Sequence, residues 1–142
     1  MFNIRVYGIM IIDNKILLSD EFTHSKNMTK FCGGGLELGE GTIECLKREF
    51  IEEMNLEIEV VSHFYTTDFY QKDAFRENSQ LISIYYLVKP AGYFNVSEVN
   101  KLSNKNDLDE TISFRFVDLK DLKEDVLTWP IDKYVVRLLI SN

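Results

Sequence analysis

Apolar and polar positions change rhythm several times along this chain of 142 residues. Phe2 to Ile12 is rich in Ile and Val with imperfect alternation, which predicts a strand. Asp13-Asn14-Lys15 marks a turn, and Ile16 to Ser19 a short return strand. Asp20 to Lys30 (DEFTHSKNMTK) is polar and without period, so a loop is expected there. Between Thr42 and Met54 the rhythm becomes helical. At about 100° per residue, Ile43, Leu46, Phe50 and Met54 fall on one stripe, the expected core face, with Thr42 or Gly41 as cap. Glu57 to Phe69 reads as a long strand, Tyr70 to Ser79 as a loop, and Leu81 to Val88 as a strand ending at the turn Lys89 to Gly92. Asn95 to Asp109 reads as a polar loop with room for a short helix, and Glu110 to Asp118 as a strand. Leu119 to Asp125 reads as a helical turn, and Trp129-Pro130 as a break. Asp132 to Ile140 is expected to be a final helix with Tyr134, Val135, Leu138 and Leu139 on its apolar side. Strands interrupted by one helix early and one late fit the α/β class: a single domain over 1–142, built as an α/β/α sandwich around a mixed sheet.

Composition narrows this. An apolar share of 45% supplies a core. No apolar run approaches the length of about 18 residues that a membrane span needs. The start, MFNIRVYGIM, lacks the basic opening and small-residue cleavage site of a signal peptide. Two cysteines, Cys32 and Cys45, with no further cluster, suggest a reduced, cytoplasmic protein. A net charge of −7 argues against a nucleic-acid binder, which would present a basic face.

That charge is concentrated in Gly33 to Leu56, GGGLELGEGTIECLKREFIEEMNL. Six glutamates (Glu37, Glu40, Glu44, Glu49, Glu52, Glu53) against Lys47 and Arg48 leave −4 in this stretch. On the helical wheel Glu49, Glu52 and Glu53 share one patch at i, i+3 and i+4 spacings. No Glu–Lys pair at i, i+4 relieves them there, so a solvated acidic face is the weaker reading. Hard oxygen donors in a cluster suit Mg²⁺ or Mn²⁺ rather than zinc. The glycines just before the helix suit a tight turn or a close approach to a ligand.

The stretch resembles the Nudix box, G-x5-E-x7-R-E-U-x-E-E-x-G-U with U apolar. It reads Gly34, five residues, Glu40, seven residues, then Arg48-Glu49-Phe50-Ile51-Glu52-Glu53-Met54-Asn55-Leu56. Asn55 stands where the family has glycine; Asn is the commonest substitute where a helix ends in the left-handed region. Cys32 stands where many members have proline. The resemblance implies the Nudix fold, with Glu49, Glu52 and Glu53 as metal-binding and catalytic groups and the Gly33 carbonyl completing the metal shell. Arg48 would orient a glutamate, with Glu40 also architectural. It further implies a base or ligand from outside the box, for which Glu110 is the first choice, ahead of Glu77 and Glu98.

Substrate contacts are sought among Arg5, Lys30 and Arg76; for Arg5 a water-facing edge position is slightly preferred. His24 and His63 read as surface or packing histidines. Most of Phe64, Tyr65, Phe69, Tyr70, Phe75, Tyr85 and Tyr86 are expected in the core, with one or two in the Phe69–Phe75 loop able to stack on a base. Carboxylates that hold Mg²⁺ beside a glycine turn suit diphosphate hydrolysis. The reading is an Mg²⁺-dependent hydrolase of a nucleoside diphosphate linked to another group. A non-catalytic nucleotide or ADP-ribose sensor is the alternative, and a homodimer is compatible with the resemblance.

Overall fold

Five consecutive buried residues, Val6 to Met10, explain why the first strand alternates poorly: both of its faces are covered. A computed structural model describes residues 1–101, 103–105 and 109–141 of the chain, with the side chains of 100, 101 and 103–105 left aside. Eight strands are assigned: β1 (Phe2–Ile12), β2 (Lys15–Thr23), β3 (Lys26–Lys30), β4 (Cys32–Gly35), β5 (Ile58–Thr66), β6 (Gln80–Pro90), β7 (Ser103–Lys105) and β8 (Thr111–Asp118). Two α-helices join them, α1 (Thr42–Met54) and α2 (Pro130–Ile140), with short 3₁₀ helices at Val96–Lys101, Leu119–Asp121 and Glu124–Val126. The chain divides into two compact units, Met1–Ile9 with Gly33–Gly92, and Met10–Cys32 with Tyr93–Asn142.

In the first unit the strand order is β5-β6-β1, and β4 pairs with β1. β5 and β6 are antiparallel, with register breaks at Val60/Ser62 and His63/Tyr65. β1 and β6 run parallel: the Gln80 N–H donates to Met1 O at one end, and Gly8 faces Val88 at the other. β4 runs antiparallel to β1, since Leu36 N–H donates to Ile4 O while Gly33 lies against Val6 and Tyr7. The sheet is therefore mixed, as expected. Helix α1 docks through Phe50, which is fully buried; a Cβ built on Gly8 would come within 2.9 Å of its ring and 3.1 Å of Val88. Absence of a side chain at Gly8 is what lets the helix approach so closely. The Thr42 and Tyr86 hydroxyls add a hydrogen bond of 2.7 Å at the helix start.

Both ends of α1 follow from local chemistry. Gly41 caps it, and the Glu44 carboxylate accepts from the Gly41 N–H at 3.0 Å. Asn55 ends it at φ 51°, ψ 38°, with its N–H donating to Ile51 O and the Leu56 N–H to Phe50 O. The left-handed end expected of Asn55 is observed. The expected core stripe needs correction at one position. Cys45, Leu46, Phe50 and Met54 are buried, whereas Ile43 is 44% exposed, because the buried face turns toward Cys45. Of the aromatic residues expected in the core, Tyr85 is fully buried, while Phe69, Tyr70 and Phe75 are exposed.

In the second unit β2 pairs antiparallel with β3 and β8, and β7 with β8. Asp20–Lys30 is not a loop. β2 runs on through it to Thr23, turns at His24-Ser25 and returns as β3. Both turn residues have positive φ (50° and 61°), the geometry that matches the twist of a two-residue hairpin. Neither is glycine or asparagine, so the turn left little trace in sequence. The Asp13-Asn14 turn between β1 and β2 has the same geometry, with φ 52° and 62°. Pro130 does not break the chain. It is the first residue of α2, where its missing N–H costs nothing. Ile131, Asp132, Val135 and Val136 are the residues α2 buries. The short helix for which Asn95–Asp109 had room is the 3₁₀ helix Val96–Lys101, while β7 was not expected; positions 102 and 106–108 lie outside the described residues. No helix among the described residues is long and apolar enough to cross a membrane.

Phe50 anchors α1, so Phe50→Ala should lower the unfolding free energy by about 3–5 kcal/mol. Urea titration followed by circular dichroism measures it; a loss below about 1 kcal/mol would mean that Phe50 does not dock the helix.

Candidate functional site

The site is built on Gly33–Gly35 of β4, the turn Leu36–Gly41 and helix α1, all in the first unit. Two glycines set its geometry by what they lack. A Cβ on Gly33 would lie 2.0 Å from Val6 O, so only glycine permits this approach to β1; its φ is +154°. A Cβ on Gly34 would lie 2.4 Å from the Glu49 carboxylate carbon. The Glu49 carboxylate thus occupies the space that any side chain at Gly34 would fill.

Arg48 is the hub. Its Nε donates to Glu40 Oε2 at 2.9 Å and its Nη2 to Glu40 Oε1 at 2.7 Å, a bidentate pair. Nη2 also donates to the Gly35 carbonyl at 3.1 Å. Nη1 donates to Glu49 Oε1 at 3.0 Å and to Glu52 Oε2 at 3.1 Å, and lies 3.7 Å from Glu37. The expectation that nothing local relieves the carboxylates is therefore corrected: one guanidinium answers four of them. Lysine could not do this, because a point ammonium lacks the planar fork. The Glu40 carboxyl is held down to about 2, chiefly by the Arg48 hydrogen bonds and then by the Glu37 backbone. Arg48 itself is pushed up, mainly by Glu40. Burial, and then Glu40, push the Cys45 thiol up to about 12.

The donor types suit a hard divalent cation: Glu49, Glu52 and Glu53 of α1 carry carboxylate oxygens, and Glu49 lies against Gly34. As they stand, no three His, Cys, Asp or Glu side chains among the described residues converge tightly enough to hold a metal. Glu49 and Glu52 are turned onto Arg48 instead. Each gives one oxygen to Arg48, Glu49 its Oε1 and Glu52 its Oε2, and the chemistry of the residues fits the ion.

Other sequence-chosen residues sit as follows. Arg5 is not at a water-facing edge, since β1 has β6 and β4 beside it. Its Nε donates to the Tyr7 hydroxyl at 2.8 Å, and its Nη1 lies 3.6 Å from where a Cβ on Gly35 would be. Arg5 therefore does join β4. Arg76, Glu77 and Glu98 are exposed. The loop carrying Arg76 is pinned by Asp73, which accepts from Phe75 N–H, Asn3 and Ser79. Burial alone would raise the Asp73 carboxyl; these hydrogen bonds outweigh it, and the net shift is downward. Lys30 and Glu110 belong to the second unit. Lys30 is buried and paired with Glu21 at 3.2 Å, and Glu110 accepts a hydrogen bond from Thr23. His63 is on the surface, bonded to Thr66. Sequence reasoning missed the Gly35 carbonyl and the Cys45 sulfur as partners of Arg48; neither position is restricted by the box pattern.

The model of the NUDIX domain family matches residues 1–139. The chain belongs to the Nudix family. It is similar in fold to a NUDIX hydrolase from Nitrosomonas europaea (TM-score 0.74, 16% identity, covering 99% of this chain and 90% of that one). It is also similar to a MutT NUDIX hydrolase from Burkholderia pseudomallei (TM-score 0.71, 16% identity, 96% and 97% covered). An ADP-ribose pyrophosphatase from Streptococcus suis gives a TM-score of 0.63 at 18% identity, with 97% and 87% covered. Comparison with curated proteins finds no match.

Two tests follow from this geometry. Glu40 titrates well below its ordinary 4.5, so its contribution to stability is complete above that pH and is lost as pH falls toward about 2. Glu40→Gln should flatten the decline of Tm across that window; an unchanged slope would remove Glu40 from the acid response. Gly34→Ala should lower kcat at least about ten-fold, since a misplaced carboxylate loses positioning. Wild-type turnover in that variant would show that Glu49 need not sit there.

Proposed function

We propose that this chain, acting as one domain over 1–142, is an Mg²⁺-dependent hydrolase. Its substrate is a nucleoside diphosphate linked to a second moiety, of the nucleotide, nucleotide-sugar or ADP-ribose type. The observation that carries the reading is the complete trio Glu49, Glu52 and Glu53 on α1, with Glu49 seated against Gly34. The solved structures similar in fold include proteins described as an ADP-ribose pyrophosphatase and a UDP-X diphosphatase, which is compatible with this substrate class.

Glu49, Glu52, Glu53 and the Gly33 carbonyl would hold Mg²⁺ (or Mn²⁺). When bound, the ion neutralises phosphate oxygens and acidifies a coordinated water. Arg48 fixes the Glu49 carboxylate through Nη1 while its other edge is locked to Glu40 and Gly35. A glutamate held in place by packing and charge need not reorganise during the reaction, and phosphoryl chemistry depends chiefly on such positioning. Arg5, beside Gly35, and Arg76, on the pinned loop, are proposed cationic contacts for the substrate. Lys30 is a weaker one, because its ammonium already has Glu21. Glu110 remains the proposed carboxylate from outside the box.

The test is phosphate release from purified protein with Mg²⁺ over nucleoside triphosphates, nucleotide sugars, ADP-ribose and dinucleoside polyphosphates. Glu53→Gln should lower kcat at least about 10²-fold with the fold intact, and EDTA should abolish turnover. Near-normal turnover in Glu53→Gln would refute the assignment. Absence of turnover with thermal stabilisation by one ligand would identify a sensing module instead.

A further inference from the structure

Cys45 falls on one of the seven unrestricted positions between Glu40 and Arg48, yet its sulfur touches the arginine clamp. The Sγ–H donates to the Gly35 carbonyl at 3.5 Å, and Arg48 Nη2 donates toward the sulfur at 3.7 Å. The same Nη2 reaches Gly35 O at 3.1 Å and Glu40 Oε1 at 2.7 Å. Nη2 carries two hydrogens. Those go to the two oxygens, and sulfur takes the longer, shared contact on the inner side.

We propose that Cys45 is a positioning residue: its thiol holds the Arg48 guanidinium and the Gly35 carbonyl in register, and through Arg48 fixes the Glu49 carboxylate. Spacing makes this feasible, because residues 45 and 48 are i, i+3 neighbours on α1. Burial makes it specific. Cys45 has no exposed surface, so its sulfur is packed against the clamp and inaccessible to solvent. Burial, and then Glu40, push the thiol further up, so it is protonated at neutral pH. The catalytic consequence of this role rests on the hydrolase reading above; the structural part does not.

The experiment compares Cys45→Ser, Cys45→Ala and Cys45→Val. Serine keeps a donor and an acceptor, alanine removes both, and valine restores bulk without polarity. The first readout is the ¹⁵N spectrum of the Arg48 side chain, where a clamped guanidinium gives separate, slowly exchanging Nη signals. The second is kcat and KM on whichever substrate the release screen identifies. Wild type and the serine variant should share separate Nη2 signals. Alanine and valine should both shift the Nη2 signals from their wild-type positions and lower kcat about five-fold at unchanged KM, the size of one ordinary neutral hydrogen bond. If alanine and valine lower only Tm, and leave kcat and the Arg48 spectrum as in wild type, the thiol merely fills space and the proposal is overturned. If wild type turns over no substrate, the hydrolase reading fails, while the Arg48 spectrum still decides the positioning role.

Discussion

The arrangement depends on one ion-pair hub, the Arg48 guanidinium. Six glutamates crowd the stretch that holds the site, and like charges at helical spacing repel. A single planar cation gathers Glu40 on one edge and Glu49 and Glu52 on the other, with the Gly35 carbonyl between. Strand, turn and helix are thereby tied together: Gly35 belongs to β4, Glu40 to the turn, and Glu49 and Glu52 to α1. Losing the arginine would do more than remove an attraction, since it would leave the half-buried Glu40 and Glu49 carboxylates without their counter-charge.

Glycine does the complementary work by exclusion. At Gly33 a side chain would overlap the β1 backbone, at Gly34 the Glu49 carboxylate, and at Gly8 the ring of Phe50. The first brings β4 against β1, the second leaves room for the Glu49 carboxylate, and the third lets α1 sit down on the sheet. Each is a case where absent volume transmits position, from core packing outward to the acidic face.

Polar residues in the second unit behave differently from their appearance in the chain. Asp20 accepts from Arg115 and Thr29, Lys30 pairs with Glu21, and Thr23 donates to Glu110. These pairs fasten β2 to β3 and to the region of β8. A polar run can be a strand when its partners across the ladder are polar too; without those partners in view it looks like a loop.

What the sequence determined by itself was local and periodic. The span of α1, its left-handed end at Asn55, the family and the three glutamates that share a face all follow from spacing, because a helix maps sequence separation directly onto geometry. The parts decided by tertiary structure are those in which distant residues meet. The β2–β3 hairpin needed its ladder partners. Ile43 was turned outward by how α1 docks, with Cys45 taking the buried side. Arg5 was placed by the pairing of β1 with β4, and Lys30 was buried by Glu21. The Gly35 carbonyl and Cys45 sulfur on Arg48 also lay beyond any spacing rule. Contacts of this kind depend on which backbones pack together, and that is settled by the summed burial of the whole core rather than by any one stretch of chain.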